Sequence, residues 1–526
     1  MSTMSPKDMK ITYTSSQTDL VAFHEYFDQA LEALEGELGR EYPIYIGGEA
    51  ITVDAPKLTD TSPVDRDKVL GLFQLATRDH VDQAVAAANA AKKGWAGTPW
   101  EERVAKLRKA AELLRERKFR IAALMGWEVG KNRLEAMGDV EESADLIDYY
   151  CDSMVEHSGY IQEMKALTPI EHNLDVLRPY GVFAVIAPFN FPAALLTGMS
   201  SAALVTGNTL IMKPAQDTPW TGLEIYKAYV DAGIPGGVVN FVTGKGSVIG
   251  DHLTLHPGVD GVVFTGSKEV GMRIFHQMST DWIKPCLLEL GGKNPTIVMP
   301  SADVEAAAEG VMRSAWGLQN QKCSACSRVY VHRDVADEFT RLLVEKTAAI
   351  NIGNPVREGV YFGPVINAAA VKKYDKAVAA ARELGEILYG GEHLTEGELA
   401  KGNFVSPCIA KVPHDSWVMK EEHFVPFLGV VVIDDLDEAM AKANDVEYGL
   451  TAGFFSGSDD EIARFFDEIE AGTVYVNKRT GATTGAWPGS QPFTGWKGSG
   501  GSGKGGCGPY YVQQFMREQS RTRIIG

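Results

Sequence analysis

Between Tyr180 and Ser267 the chain alternates short apolar runs with turns and helical stretches, and this rhythm limits the possible fold more than any other feature. Val182 to Ala187, Thr209 to Met212, Val238 to Val242 and Gly261 to Phe264 read as buried strands. Ala193 to Val205, Trp220 to Ala232 and Val248 to Leu255 read as the helices that join them. Strands linked by crossover helices require a parallel sheet covered on both faces, so the predicted fold class is α/β with a doubly wound sheet. Ligands of such a sheet bind beyond the carboxyl ends of its strands. Those ends carry Pro188-Phe189-Asn190, Lys213-Pro214, Thr243-Gly244-Lys245-Gly246 and Thr265-Gly266-Ser267, residue types that suit a phosphate-bearing ligand. Gly244, Gly246 and Gly250 miss the G-x-G-x-x-G spacing by one residue, so that fingerprint alone gives no support.

A second α/β block is expected from about residue 294 to 450, with strands at Thr296 to Val298, Val329 to His332 and Val430 to Ile433. A long helix is predicted over Pro99 to Met125. Thr98 is its N-cap, Glu101 the capping-box carboxylate, and Arg103, Lys106, Arg115 and Glu116 lie on the wet face. The stretch from Thr480 to Gly508 holds 11 glycines in 29 residues, which marks either a linker or close backbone contacts to a ligand or subunit.

With 526 residues, 45% of them hydrophobic, the chain can fill two or three packed domains. Its 51 basic against 69 acidic residues give −18, a field that repels nucleic acid. The longest apolar stretch, near Gly181 to Pro188, is far short of the roughly 20 residues of a membrane span. The opening MSTMSPKDMK has no leader pattern, and six scattered cysteines suit a reducing compartment, so a cytoplasmic location is expected. No metal is expected. Cys323 and Cys326 form a C-x-x-C without a partner pair, and His252 and His256 lack the glutamate of a zinc helix, having Leu253 instead.

Four separated features fit one reaction: Cys323 in QKCSACSR, Glu289 in LELGGKNP, Asn190 in PFNFP and Lys213 in MKPA. Taken singly, a cysteine is more often core than nucleophile, and a glutamate before two glycines is usually a solvated turn. Together with FTGS and EEHF, these motifs make the chain closely similar to the aldehyde dehydrogenase superfamily from Thr61-Ser62-Pro63 to the C-terminus. The resemblance implies that Cys323 is the nucleophile, Glu289 the general base and Asn190 part of the oxyanion hole. It also makes Lys213 a cofactor ribose contact counted with the catalytic set. A thiolate adding to an aldehyde gives an oxyanion for Asn190 and the Cys323 N–H to stabilise. Collapse then passes hydride to a nicotinamide and leaves a thioester, which Glu289 helps water to cleave. The thiolate would need help, as from a helix N-terminus or the cofactor's charge.

The same resemblance implies cofactor contacts from Pro188, Lys213, Gln216, Gly246, Thr265, Gly266, Ser267, Leu290, Glu422 and Phe424. Gln216 stands where NAD-preferring relatives often have a glutamate, so NAD is expected and NADP stays open. Val425 replaces a usual glycine. The run from Glu128 to Asn132, with Tyr149-Tyr150, resembles the branch that oxidises glutamate γ-semialdehyde. In that branch Ser324 and a Gly-Ala pair, read as Gly481-Ala482, would hold the substrate carboxylate, with Phe191 and Phe493 flanking its stem. Relatives have about four residues between Thr-Gly-Ala and Gln-Pro-Phe; the eight here, Thr483 to Ser490, read as an insertion. Succinic or 2-aminoadipic semialdehyde is the alternative substrate, and a CoA-acylating enzyme the alternative activity, which Glu289 counts against. Cys326 reads as a packed neighbour able to form a reversible disulfide with Cys323. The resemblance implies a cofactor-binding domain from 1–156 and 178–291 and a catalytic domain from 292–490. A β flap from 157–177 and 491–526 would build a homo-oligomer, a dimer or dimer-based.

Overall fold

A computed structural model describes residues 9–12, 20–501 and 503–525; the reading of the first residues as leaderless falls largely outside them, as do the bounds 1 and 526. The predicted strands occur as Val182–Ile186, Thr209–Lys213, Val239–Phe241 and Gly261–Thr265, joined by helices Ala194–Val205, Pro219–Asp231 and Gly246–Thr254. They form the centre of a seven-stranded sheet in the order Cys286–Glu289, Gly261–Thr265, Val182–Ile186, Thr209–Lys213, Val239–Phe241, Ile44–Ile46, Glu49–Ile51. The first five strands run parallel. The last two form an antiparallel edge hairpin that the sequence reading missed. Its two-residue turn, Gly47-Gly48, takes φ of 67° and 92°, the paired positive values that a tight hairpin needs and glycine allows.

The second block is another seven-stranded sheet, ordered Glu386–Tyr389, Cys408–Lys411, Phe427–Ile433, Cys326–His332, Asn294–Val298, Thr451–Phe455, Thr473–Val476. All its neighbours are parallel except the edge pair Glu386–Tyr389 and Cys408–Lys411. Only Leu290 to Lys293 separate the carboxyl end of Cys286–Glu289 in the first sheet from the amino end of Asn294–Val298 in the second. The LELGGKNP motif is therefore the crossing between the two sheets, and a cleft lies where one sheet's carboxyl edge faces the other's amino edge.

The predicted long helix is two helices, Trp100–Glu116 and Lys118–Glu128, broken at Arg117, whose φ and ψ of −100° and 6° leave the helical basin. Thr98 ends the preceding helix, its N–H donating to Gly94 O, and no capping box forms at Pro99. Arg103 is not on a wet face. It is 7% exposed, and its Nε donates to Val205 O at 2.9 Å, satisfying the last carbonyl of helix Ala194–Val205. A separate antiparallel sheet joins Met516–Ile524, Glu171–Pro179 and Ile161–Met164. Its outer strands are almost entirely exposed.

Candidate active site

The strand register lines up the first sheet's carboxyl edge. Thr265 pairs with Glu289, Phe264 with Ile186 and Ile186 with Lys213, so the segments that follow these strands emerge side by side. Asn190 lies four residues beyond Ile186 and is 2% exposed, and its side-chain amide has no hydrogen-bond partner among the described residues. Facing this row, Cys323 and Ser324 sit in the turn before strand Cys326–His332. Cys323, Ser324, Glu289, Thr265, Leu290, Phe191 and Phe493 line one cavity of about 620 Å³.

The approach to Cys323 is strained. Leu318, Gln319 and Asn320 take φ of 46°, 55° and 62°, a left-handed turn of three non-glycine residues, each costing roughly 1–3 kcal/mol. Buried polar bonds hold it: Asn320 Nδ2 donates to Ala315 O and Cys326 O, both at 2.9 Å, and Leu318 N donates to Glu135 Oε2 at 3.2 Å. Asn294 Nδ2 then donates to Cys323 O at 2.7 Å and Ala325 O at 2.9 Å. Because a trans peptide sets its N–H opposite its carbonyl, holding Cys323 O turns the Ser324 N–H the other way, toward the Cys323 sulfur. No helix begins at Cys323, so the expected help from a helix N-terminus is replaced by these turn N–H groups.

Burial dominates the electrostatics. It pushes the Cys323 thiol up to about 12, with the Glu422 and Glu289 charges adding to the rise and the two N–H groups opposing it. Burial likewise holds Glu289 well above the usual carboxylate range, and its Oε2 has no hydrogen-bond partner among the described residues. A carboxyl kept in this state becomes a strong base once it loses its proton.

Residues that fit a dinucleotide lie along the cleft. Lys213 is 6% exposed, and among the described residues its ammonium donates only to Pro214 O at 3.3 Å, leaving donors for a ribose hydroxyl. Helices starting at Gly246 and Lys268 point their amino ends out of the same edge; a Cβ at Gly246 would meet nothing, and Ser267 caps the second helix. Glu422 Oε1 accepts the Gly292 N–H at 2.8 Å, and a Cβ on Gly291 would strike its carboxylate at 2.1 Å. Phe424, at φ 59°, stands edge-on to Phe189. Pro188 and Gly266 flank the strand ends, while Gln216 is exposed in the turn after Lys213.

The Gly481-Ala482 assignment is overturned. Ala482 N donates to Gly310 O at 2.9 Å, Gly481 N to Lys478 O at 3.2 Å, and Ala482 is 1% exposed against helix Val304–Trp316 and strand Thr451–Phe455. Neither lines the cavity. The wall is formed instead by a second Thr-Gly-Ala, Thr484-Gly485-Ala486. Four residues, Trp487 to Ser490, separate this pair from Gln491-Pro492-Phe493, the spacing expected of the family. The extra residues therefore precede the loop, and the repeated Thr-Gly-Ala was the signal that sequence reading passed over. Lys322 and Glu135, paired at 2.7 Å, also line the cavity and were missed as site residues, as was Arg133. Cys326 is free and packed, its Sγ 3.2 Å from Thr296 Oγ1. His252 and His256 both face Asp82.

A family model described as the aldehyde dehydrogenase family matches residues 52–520. A 1-pyrroline-5-carboxylate dehydrogenase of Bacillus mycoides is 38% identical over 506 residues, covering 95% of this chain and 96% of that protein. Among solved structures, a mutant 1-pyrroline-5-carboxylate dehydrogenase of Thermus thermophilus has a TM-score of 0.93 at 34% identity, with 100% of both chains covered. A second from Thermus, with bound NAD, gives the same values.

Proposed function

The chain belongs to the aldehyde dehydrogenase family, and from that premise we propose that it oxidises L-glutamate γ-semialdehyde, the open form of 1-pyrroline-5-carboxylate, to L-glutamate with NAD. The observation that carries this reading is the single cavity joining Cys323 and Glu289 to a wall suited to an amino acid side of the substrate. Phe191 and Phe493 flank an apolar stem. Ser324 and the N–H groups of Gly485 and Ala486 serve as neutral donors for a carboxylate. Relatives named for this substrate support the choice.

In this mechanism the Cys323 thiol releases its proton to solvent as Sγ bonds to the aldehyde carbon, and the Asn190 amide and the Cys323 N–H donate to the oxygen as its charge develops. A bound nicotinamide would supply the acceptor for the hydride lost as the adduct on Cys323 collapses to a thioester. Glu289 then removes a proton from water as that water attacks the thioester, releasing the carboxylate and restoring the thiol. Lys213 and Glu422 would hold the cofactor's ribose hydroxyls. Gln216, neutral and exposed, puts no charge against a 2′-phosphate, so NADP is accepted more weakly rather than excluded.

Exposed Ile161 and Met164 on the three-stranded sheet, with Leu167 and Ile170 in the turn that follows them, support assembly with a second copy. No described helix is long and apolar enough to cross a membrane. Six free thiols favour the cytoplasm. Initial rates with pyrroline-5-carboxylate, succinic semialdehyde and propanal test the substrate. The expected kcat/KM is highest for pyrroline-5-carboxylate, by roughly 100-fold or more over propanal; a preference for propanal overturns the reading.

A further inference from the structure

Lys478 lies behind the wall formed by Thr484, Gly485 and Ala486 and is not itself among the residues that line the cavity. Its ammonium rests 4.2 Å over the Tyr475 ring and donates to Thr484 O at 2.8 Å and to Gly485 O at 3.3 Å. Every peptide bond here is trans, so each N–H points away from the carbonyl of its own peptide plane. Drawing the carbonyls of Thr484 and Gly485 toward Lys478 therefore turns the N–H groups of Gly485 and Ala486 to the opposite side. Neither N–H meets an acceptor among the described residues. Gly485 makes the arrangement possible, since its φ is +101° and a Cβ would come within 2.8 Å of Lys478 Nζ. Upstream, Thr483 fixes the strand of chain leading in: its N–H donates to Ser314 Oγ at 3.0 Å and its hydroxyl to Ser324 O at 2.6 Å.

We propose that Lys478 is a positioning residue for substrate selection, which sets the two peptide planes of the 484–486 loop so that their N–H groups form a ready-made seat for the substrate carboxylate. The proposal rests on the carboxylate-bearing substrate reading. Lys478 does not touch substrate; it removes the alternative in which a glycine-containing loop flips a carbonyl inward and repels the anion. Preorganised donors of this kind bind without a reorganisation cost.

Lys478→Met, Lys478→Arg and Gly485→Ala test it, with NAD affinity and thermal melting checked for each. With Lys478→Met, the KM for pyrroline-5-carboxylate and the Kd for L-glutamate are expected to rise together by about 10- to 100-fold. The kcat/KM for propanal should stay within about twofold. Lys478→Arg should restore part of the preference, and Gly485→Ala should reproduce the selective loss by displacing the ammonium. An unchanged ratio of pyrroline-5-carboxylate to propanal in Lys478→Met, or an equal fall with both, overturns the positioning role. If wild type itself shows no preference over propanal, the substrate reading fails instead, and the two failures are told apart by the wild-type ratio.

Discussion

Desolvation in the cavity they share favours the neutral forms of both Cys323 and Glu289. With the thiol pushed up to about 12, cofactor-free protein should show iodoacetamide labelling of the Cys323 peptide that still climbs at pH 10; a plateau near pH 8 would contradict the burial account. For Glu289 the sign follows from linkage. Its folded-state pKa lies well above 4.5, so above the unfolded value the native state keeps a proton that the unfolded chain has lost, and stability falls as pH rises. Glu289→Gln is therefore expected to melt about 1–3 °C higher than wild type at pH 7 and together with it at pH 4, in a thermal scan. Equal melting at both values would place the carboxyl in a better solvated setting. The gain in stability comes with loss of turnover, as expected where a buried group is kept for its chemistry.

Among the elements, helix Arg133–Glu156 braces the segment that carries Asn190, the proposed oxyanion donor. Asp139, wholly buried, accepts the Ala194 N–H at 2.7 Å at the start of helix Ala194–Val205, four residues after Asn190. Its other oxygen meets Lys131 at 2.7 Å, and the Lys131 ammonium stands 3.7 Å over the Phe191 ring. Removing one charge from so buried a pair costs roughly 3–5 kcal/mol. Lys131→Met alone should be strongly destabilised in thermal melting, and adding Asp139→Asn, which keeps an acceptor for Ala194, should recover most of the loss; simple addition of the two effects would contradict the pairing. Elements of this kind mark the limit of what was legible in the sequence. The parallel strands and crossover helices were readable because they are continuous apolar runs with turn residues at their ends. The break at Arg117 was not, because the apolar repeat runs through it, and the burial of Arg103 arises from a helix end 102 residues away. The catalytic motifs were legible as local words. Two Thr-Gly-Ala words compete for the proposed carboxylate loop, and packing of the first against Gly310 and Gly453 keeps it off the cavity that the second lines.

At the scale of the whole molecule, two seven-stranded sheets meet edge to edge and the chemistry lies at the seam, with residues 289 to 294 crossing it in a single short step. The three-stranded sheet and its turn leave apolar side chains uncovered: Leu167 in the turn is 83% exposed and Ile524 58%. Met164→Asp combined with Leu167→Asp should lower the mass seen by light scattering toward that of a single chain, and an unchanged mass would move the assembly surface elsewhere. The proposed reaction turns on a thioester formed at Cys323 and released by Glu289. Stopped-flow mixing of Glu289→Gln with NAD and pyrroline-5-carboxylate tests it most directly. The predicted record is a burst of about one NADH per site, then a steady rate lower than wild type by roughly 100-fold or more; a vanished burst, or undiminished steady turnover, would contradict it.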